Sequence, residues 1–335
     1  MSPTTNKTIM NVIEMQEAGT PDVLIAGSRE IPQPADNEVL IKVVAAGVNG
    51  PDLVQRRGHY PPPKGASDLL GLEVSGIITA TGKAVSQWHI GAAVIALTNG
   101  GGYAEYVTVR ADHVLSVPEG VNLIDAAGIP ETFFTVWSNV FHPTPRPSGS
   151  RFLVHGGAGG IGSTAIQLGA AMGYEVLTTI AHADEAEWCI NLGASQAINY
   201  SDDDFVAIAR EAGGADLILD IIGGDYIARN IKAARADGRI IQLAFNHGSK
   251  VEIDLMPVML KRLTFTGSTL RSRPDAFKAL IASELEAKVW PFFANTSITT
   301  TTHITMPLAE AANAHRMMEA ASHKGKILLL TGFEG

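Results

Sequence analysis

The sequence predicts an α/β protein in which a doubly wound parallel sheet is joined to a β-rich, partly barrel-shaped domain. Three observations carry this reading. From His155 to Gly162 the chain reads HGGAGGIG, directly after the apolar run Phe152–Val154 and directly before the helix-like STAIQLGAAMG. From about Ile124 onward, strand-like runs near 152–155, 175–180, 216–220 and 239–244 alternate with helical stretches, the pattern of a parallel sheet with crossover helices. The first 120 or so residues instead alternate short β-like runs with turn residues, which reads as a largely antiparallel unit.

Taken in order, the strand-like runs of the N-terminal part are VLIKVVAAGV at 39–48, VSGIITATG at 74–82, AAVIAL at 92–97 and AEYVTV at 104–109. Gly157, Gly159 and Gly162 then fall on the G-x-G-x-x-G spacing of a dinucleotide-binding turn. In that motif the first glycine permits the tight strand-to-helix turn, the second lets the backbone approach a pyrophosphate, and the third lets helix and strand pack closely. The helix N-terminus faces the phosphates with unpaired N–H groups. A glycine triplet alone also fits a plain tight turn, but a second strand-like run, Tyr174 to Ile180, completes a βαβ unit here. The next helix reaches Leu192 and stops at Gly193, with Gln196–Tyr200 strand-like after it; Gly213-Gly214 and Gly223-Gly224 punctuate in the same way. After about Arg271 the pattern returns to helix followed by strand, closing with HKGKILLLTG. The β-branched run TSITTTTH at 296–303 suits an exposed strand.

The composition narrows the function. A length of 335 residues suggests two domains, and 46% hydrophobic with 18% charged residues is ordinary for a soluble globular chain. A net charge of −9 without a dense Lys/Arg stripe argues against nucleic acid as a partner. The one cysteine, Cys189, precludes an intramolecular disulfide and any multi-cysteine zinc site, and its helical surroundings favour a packing role. Neither a signal-like apolar stretch in MSPTTNKTIM nor a run of about 18 apolar residues is present, so the expected location is cytoplasmic, away from membranes.

Several segments are familiar: GVNGPDLVQRRGHYPPPKGASDLLGLEVSG (47–76), GGYAEYVTV (101–109), AAGIPETFFTVW (126–137), HGGAGGIGSTAIQLG (155–169), LILDIIGGDY (217–226) and AHRMMEAASHKGKILL (314–329). Together they resemble, nearly end to end, the zinc-independent quinone oxidoreductases of the medium-chain dehydrogenase/reductase superfamily, with YPPPKGAS most similar to the p53-inducible branch. The resemblance implies a GroES-like catalytic domain from residues 1–126 and 272–335, a Rossmann domain from 127–271, and an active site in the cleft between them. It also implies two-electron reduction of quinones by NADPH, and pairing as a homodimer through the last Rossmann strand, Leu263 to Gly267. Zinc-dependent relatives place a cysteine where Asn49 stands and a histidine-glutamate pair where Leu72-Glu73 stands; without those ligands no zinc site is expected. His59 and His89 are read as surface or structural histidines.

The same resemblance assigns residues. Tyr60 is expected to contact the acceptor, its hydroxyl donating to a carbonyl oxygen; the alternative is packing against Pro61–Pro63. Asn49 is expected near nicotinamide and substrate, the alternative being a local Asx-type turn. Thr132 is expected at the nicotinamide end, or as a helix N-cap. The main chain of Ala158, Gly159, Gly160 and Ile161 is expected on the pyrophosphate, with Phe245, Asn246, Ser268 and Leu270 bordering the nicotinamide. Lys326 matches a C-terminal lysine near the cofactor, with an exposed lysine beside a terminal strand as the alternative. On the NADPH side, Thr178 to His182 carries no carboxylate, His182 can donate to a 2′-phosphate, and Tyr200 matches a tyrosine near the adenine ribose. Against it, NADPH-selective relatives carry serine and lysine where this chain has His182, Ala183, Asp184 and Glu185, so NADH stays open. Competing functions are reduction of α,β-unsaturated ketones or acyl thioesters, and a non-catalytic nucleotide- or RNA-binding structural role.

Overall fold

In the computed structural model, which describes residues 8–333 and 335, the chain begins with an antiparallel hairpin of β1 (Ile9–Met15) and β2 (Leu24–Glu30). Strand β3 (Glu38–Gly47) is almost wholly buried, because EVLIKVVAAG is apolar on both faces and has a partner on each edge. After α1 (Gly50–Arg56) come β4 (Glu73–Thr81), β5 (Ala93–Leu97), β6 (Tyr106–Arg110) and β7 (Val114–Ser116). β4 and β6 pair antiparallel with β3, β5 with β4 and β7 with β5.

Two short helices, α2 (Leu123–Ala126) and α3 (Pro130–Val136), lead into six strands that alternate with helices: β8 (Arg151–His155), α4 (Gly160–Ala171), β9 (Glu175–Ile180), α5 (Ala186–Asn191), β10 (Gln196–Asn199), α6 (Phe205–Glu211), β11 (Ala215–Asp220), α7 (Tyr226–Ala233), β12 (Ala234–Gln242), α8 (Met256–Lys261) and β13 (Thr264–Gly267). All five strand pairings are parallel, in the spatial order β10-β9-β8-β11-β12-β13. Numbered within the unit this is 3-2-1-4-5-6, the doubly wound order whose direction reverses between β8 and β11. Leu153, Leu177, Ile198, Ile218 and Ile240 pack its core.

The chain then returns through α9 (Asp275–Lys288), α10 (Trp290–Ala294), β14 (Thr302–Pro307), α11 (Ala311–Glu319) and β15 (Lys326–Leu330). β15 pairs antiparallel with β3, and β14 lies parallel to β15, completing a seven-stranded sheet. Ile327 and Leu329 thereby join Val39, Ile41, Val43, Val74 and Val94 in one core. Burying each such side chain contributes roughly 1.5–3 kcal/mol, which ties the last strand to the first domain. Two units result: described residues up to Glu131 with Arg271–Ala294 and those from Thr299 onward, and Thr132–Leu270 with Asn295–Ile298. The threonine-rich run departs from its expected strand over 296–301. Thr296 adopts φ 62, outside the extended region, and the strand begins only at Thr302. Among the described residues no helix is long and apolar enough to cross a membrane.

Candidate active site

The glycine turn leaves β8 and opens α4. Its left-handed residue is Gly156, at φ 74, and not Gly157, the first glycine of the triplet. Gly157 is needed for a different reason: a Cβ there would lie 2.2 Å from Thr178 Oγ1 on β9. A Cβ on Gly162 would lie 2.1 Å from the Gly156 carbonyl oxygen, so this glycine sets the close helix–turn packing. Over Gly159 such a Cβ would meet only an ordinary van der Waals contact, with Gly156 O at 3.7 Å, so the glycine is not required by the protein's own packing. Gly159 is also the N-cap of α4, without a side chain to bond the first turn. The first helical bond runs from Ser163 N–H to Gly159 O at 2.8 Å, so the N–H groups of Gly160, Ile161 and Gly162 have no helical acceptor. With almost wholly buried Ala158 in the turn, these features fit a dinucleotide pyrophosphate.

Apart from Thr132, the other residues of this unit that the sequence singles out follow the carboxyl ends of the parallel strands. Thr132 lies inside α3, so it is not a helix N-cap; its buried hydroxyl accepts from Thr164 Oγ1 on α4 at 3.0 Å. Phe245 and Asn246 follow β12, Phe245 about half exposed. After β13, Ser268 Oγ donates to Asn139 Oδ1 at 2.8 Å, and Leu270 is buried. His182 is exposed beyond β9, and Tyr200 is exposed beyond β10. No carboxylate occurs at the carboxyl end of β9, Thr178 to Ile180, yet one folds back to it: Glu185 accepts from the Ala181 and His182 N–H groups at 2.8 and 3.2 Å and is buried.

In the other unit, side chains from five segments meet beyond the end of β3. Gly47 admits Glu73 of β4, whose Oε1 would be 1.9 Å from a Cβ at that position. Lys326, the first residue of β15, places its ammonium 2.6 Å from Glu73 Oε1 and donates to Asn49 Oδ1 at 2.6 Å and Val48 O at 3.3 Å. It is therefore buried, not an exposed terminal lysine, and its three N–H groups are taken up inside the unit. Asn49 Nδ2 donates to Glu73 Oε1 at 2.8 Å and only weakly to Gly47 O at 3.5 Å. Its side chain is thus a strut between Glu73 and Lys326, and Asn49 is also the N-cap of α1. Glu73 Oε2 accepts the Glu131 N–H at 2.8 Å. Asp52 of α1 accepts from the Asn49 and Gly71 N–H groups at 2.9 and 3.0 Å, while burial pushes its carboxyl up to about 6.

Tyr60 is half-buried, with the Arg271 guanidinium 5.6 Å from its ring centre. Burial raises its hydroxyl above the usual phenol range, and Glu131 raises it further against the opposing pull of Arg271. Arg271 and Lys278 are buried cations whose hydrogen bonds go to neutral acceptors, with the Asp275 carboxylate 3.9 Å from the Lys278 ammonium. Arg271 donates to Gln55 Oε1 at 2.6 Å and Asn99 O at 2.9 Å, and Lys278 to Asn99 Oδ1 at 2.9 Å and Arg271 O at 3.2 Å. A polar cavity of about 600 Å³ has Arg271 and Lys278 in its wall but neither Tyr60 nor Glu131, so it is not where these groups converge.

Glu131, Asp52, Arg271 and Lys278 are the residues that sequence reasoning passes over. Their only signal is a charged residue inside or beside an otherwise apolar motif, as in IPETFF. His59 and His89 are exposed and Cys189 is buried. Among the described residues no group of three or more His, Cys, Asp or Glu side chains is arranged to hold a metal ion.

Residues 35–119 match the alcohol dehydrogenase GroES-like domain, and residues 160–286 match the zinc-binding dehydrogenase domain. The chain is 30% identical over 335 residues to the quinone oxidoreductase of Lama guanicoe, covering 97% of this chain and 99% of that one. It belongs to the quinone oxidoreductases of the medium-chain dehydrogenase/reductase superfamily. The Escherichia coli quinone oxidoreductase complexed with NADPH superposes with TM-score 0.85 at 26% identity, covering 96% of this chain and 99% of that chain. The CurK enoyl reductase superposes with TM-score 0.83, also at 26% identity and with 96% and 99% coverage.

Proposed function

We propose that this protein is an NADPH-dependent quinone reductase that works without zinc. The observation that carries this reading is the backbone cradle at Gly159, in a chain that matches quinone oxidoreductases along nearly its whole length. When bound, NADPH supplies the hydride. The N–H groups of Ala158, Gly160, Ile161 and Gly162 hold the pyrophosphate beside Gly157; that of Gly159, expected there too, is instead donated to Gly156 O at 3.2 Å. His182 and Tyr200 flank the adenine ribose, while Thr132, Phe245, Asn246, Ser268 and Leu270 border the nicotinamide. Asn49 offers the cofactor or substrate its remaining amide hydrogen, and Lys326 acts by fixing that amide. Tyr60 donates its hydroxyl to the acceptor carbonyl.

Two second readings have specific support. The likeness to an enoyl reductase structure keeps enones and acyl thioesters as acceptors. The Glu185 carboxylate folded onto the end of β9 places a charge that disfavours a 2′-phosphate and keeps NADH as a donor. Oxidation of NADPH and NADH, assayed against quinones, enones and enoyl thioesters before and after chelation, tests all of this. Quinone-dependent NADPH oxidation that survives chelation is expected; a loss restored only by zinc would overturn the reading.

A homodimer completes the proposal. β13 is the edge of the parallel sheet and all four of its residues are exposed. Beside it in sequence, Leu255, Met256, Met259 and Leu260 are each more than half exposed. A second copy adding its own β13 across a two-fold axis would pair that edge and cover apolar surface. Sedimentation should report a dimer, and Phe265→Asp should yield monomers.

A further inference from the structure

Glu131 is the second residue of α3, and its main-chain N–H is committed to Glu73. Its side chain is 9% exposed, and its carboxyl oxygens take no hydrogen bond from any described residue. The neighbouring carboxyls are treated differently. Glu73 receives the Lys326 ammonium, the Asn49 amide and the Glu131 N–H, and Asp52 receives two main-chain N–H groups. Both carboxyls thereby have donors, and among the described residues Lys326 is the cation in direct contact with Glu73. A third carboxyl added to this buried group without a donor keeps its proton.

The charged and titratable groups that act on Glu131 come from every side: Glu73 on β4, Asp52 on α1, Lys326 on β15, Arg271 before α9, Lys278 on α9, and Tyr60. Burial first, then Glu73 and Asp52, push the Glu131 carboxyl up to about 8, with Lys326 and Arg271 opposing. The Tyr60 hydroxyl, raised above the usual phenol range, is the weaker acid of the two.

We infer that Glu131 is a catalytic acid, whose carboxyl O–H gives the proton to the oxygen of an acceptor lodged against Tyr60. The inference rests on the reductase reading above and supplies the proton that reading needs. The acceptor gains two electrons and one hydrogen nucleus as hydride, and negative charge develops on its oxygen. The Glu131 O–H bond then breaks as an O–H bond forms on the acceptor. Glu131 is left as a carboxylate facing Lys326, Arg271 and Lys278, and it recovers a proton from water before the next cycle. The balance is quinone plus NADPH plus one proton to hydroquinone plus NADP⁺. For an enone, the same proton quenches the enolate formed when hydride adds to the double bond.

Infrared spectroscopy of the protein without cofactor reads the proton directly. A protonated-carboxyl C=O band that fades as pH rises through about 8 is expected, and it should be absent in Glu131→Gln. In the kinetics, native kcat should fall over the same pH range. Glu131→Gln should lower kcat about a hundredfold and abolish that limb at unchanged NADPH affinity, which also shows the variant is folded. Glu131→Asp should retain the limb at reduced rate. Lack of the band in the native protein, or a Glu131→Gln enzyme with native turnover and an intact limb, overturns the acid role alone. An intact band in a native protein that oxidises NADPH with no quinone or enone overturns the reductase reading and the acid role with it.

Discussion

The glycine turn at 156–162 and the cluster around Lys326 prepare their units for chemistry with different materials. The turn is backbone from one short stretch, and its specificity lies in where side chains are missing. The cluster is side chains, with Lys326 reaching Asn49 across 277 positions of sequence. A backbone cradle presents N–H dipoles at the end of a helix that forms anyway. The cluster buries charge, whose removal from water costs several kcal/mol per ion unless partners answer it. The turn therefore tolerates little change in shape, and the cluster little change in charge.

Paired glycine variants strain the shape side most. Gly162→Val should disrupt the turn itself, because its Cβ would overlap the Gly156 carbonyl, while Gly159→Val should fold and lose NADPH binding by at least a hundredfold. Melting curves and cofactor titrations of the two separate these outcomes, and an unchanged NADPH affinity in folded Gly159→Val would remove the cradle from the proposed site. On the charge side, Lys326→Met leaves Glu73 buried without its cation and should cost about 3–5 kcal/mol, read as a lower denaturant midpoint. A variant as stable as the native protein would show that the cluster holds fewer charges than its geometry indicates.

Smaller effects sharpen the comparison. Tyr60→Phe removes one hydrogen bond to the acceptor and should lower kcat/KM roughly tenfold, about 1–1.5 kcal/mol, at unchanged NADPH affinity; no kinetic change would assign Tyr60 to packing. Glu185→Gln removes one negative charge at the end of β9 and should shift the NADPH:NADH affinity ratio about threefold toward NADPH, ~0.7 kcal/mol. A shift toward NADH would show that Glu185 faces away from the ribose.

Much of the fold was legible because its signals are local. Period-2 and continuous apolar runs placed β3, β4, β5 and the strands of the parallel sheet within a few residues, and Gly193, at φ 109, ends its helix region as the residue type suggests. The threonine-rich run was read as strand too early because propensity carries no information about the left-handed Thr296. The glycine spacing locates the turn, while the left-handed residue is Gly156, just before the triplet, because a motif encodes positions and not dihedral angles.

By itself the sequence determined the alternation of strands and helices, the glycine turn and the absence of cysteine and histidine at the positions where zinc-dependent relatives hold their metal, since each is a property of neighbouring residues or of composition. Only the tertiary structure decided that Lys326 is buried, that Asn49 is a strut, that Glu185 folds back onto β9 and that Glu131 is buried beside Glu73. The first two arise from pairing β15 with β3 and from the burial that follows. The protonation of a carboxyl depends on how much water and how many donors remain around it, a quantity set by every segment packed against it and by none alone.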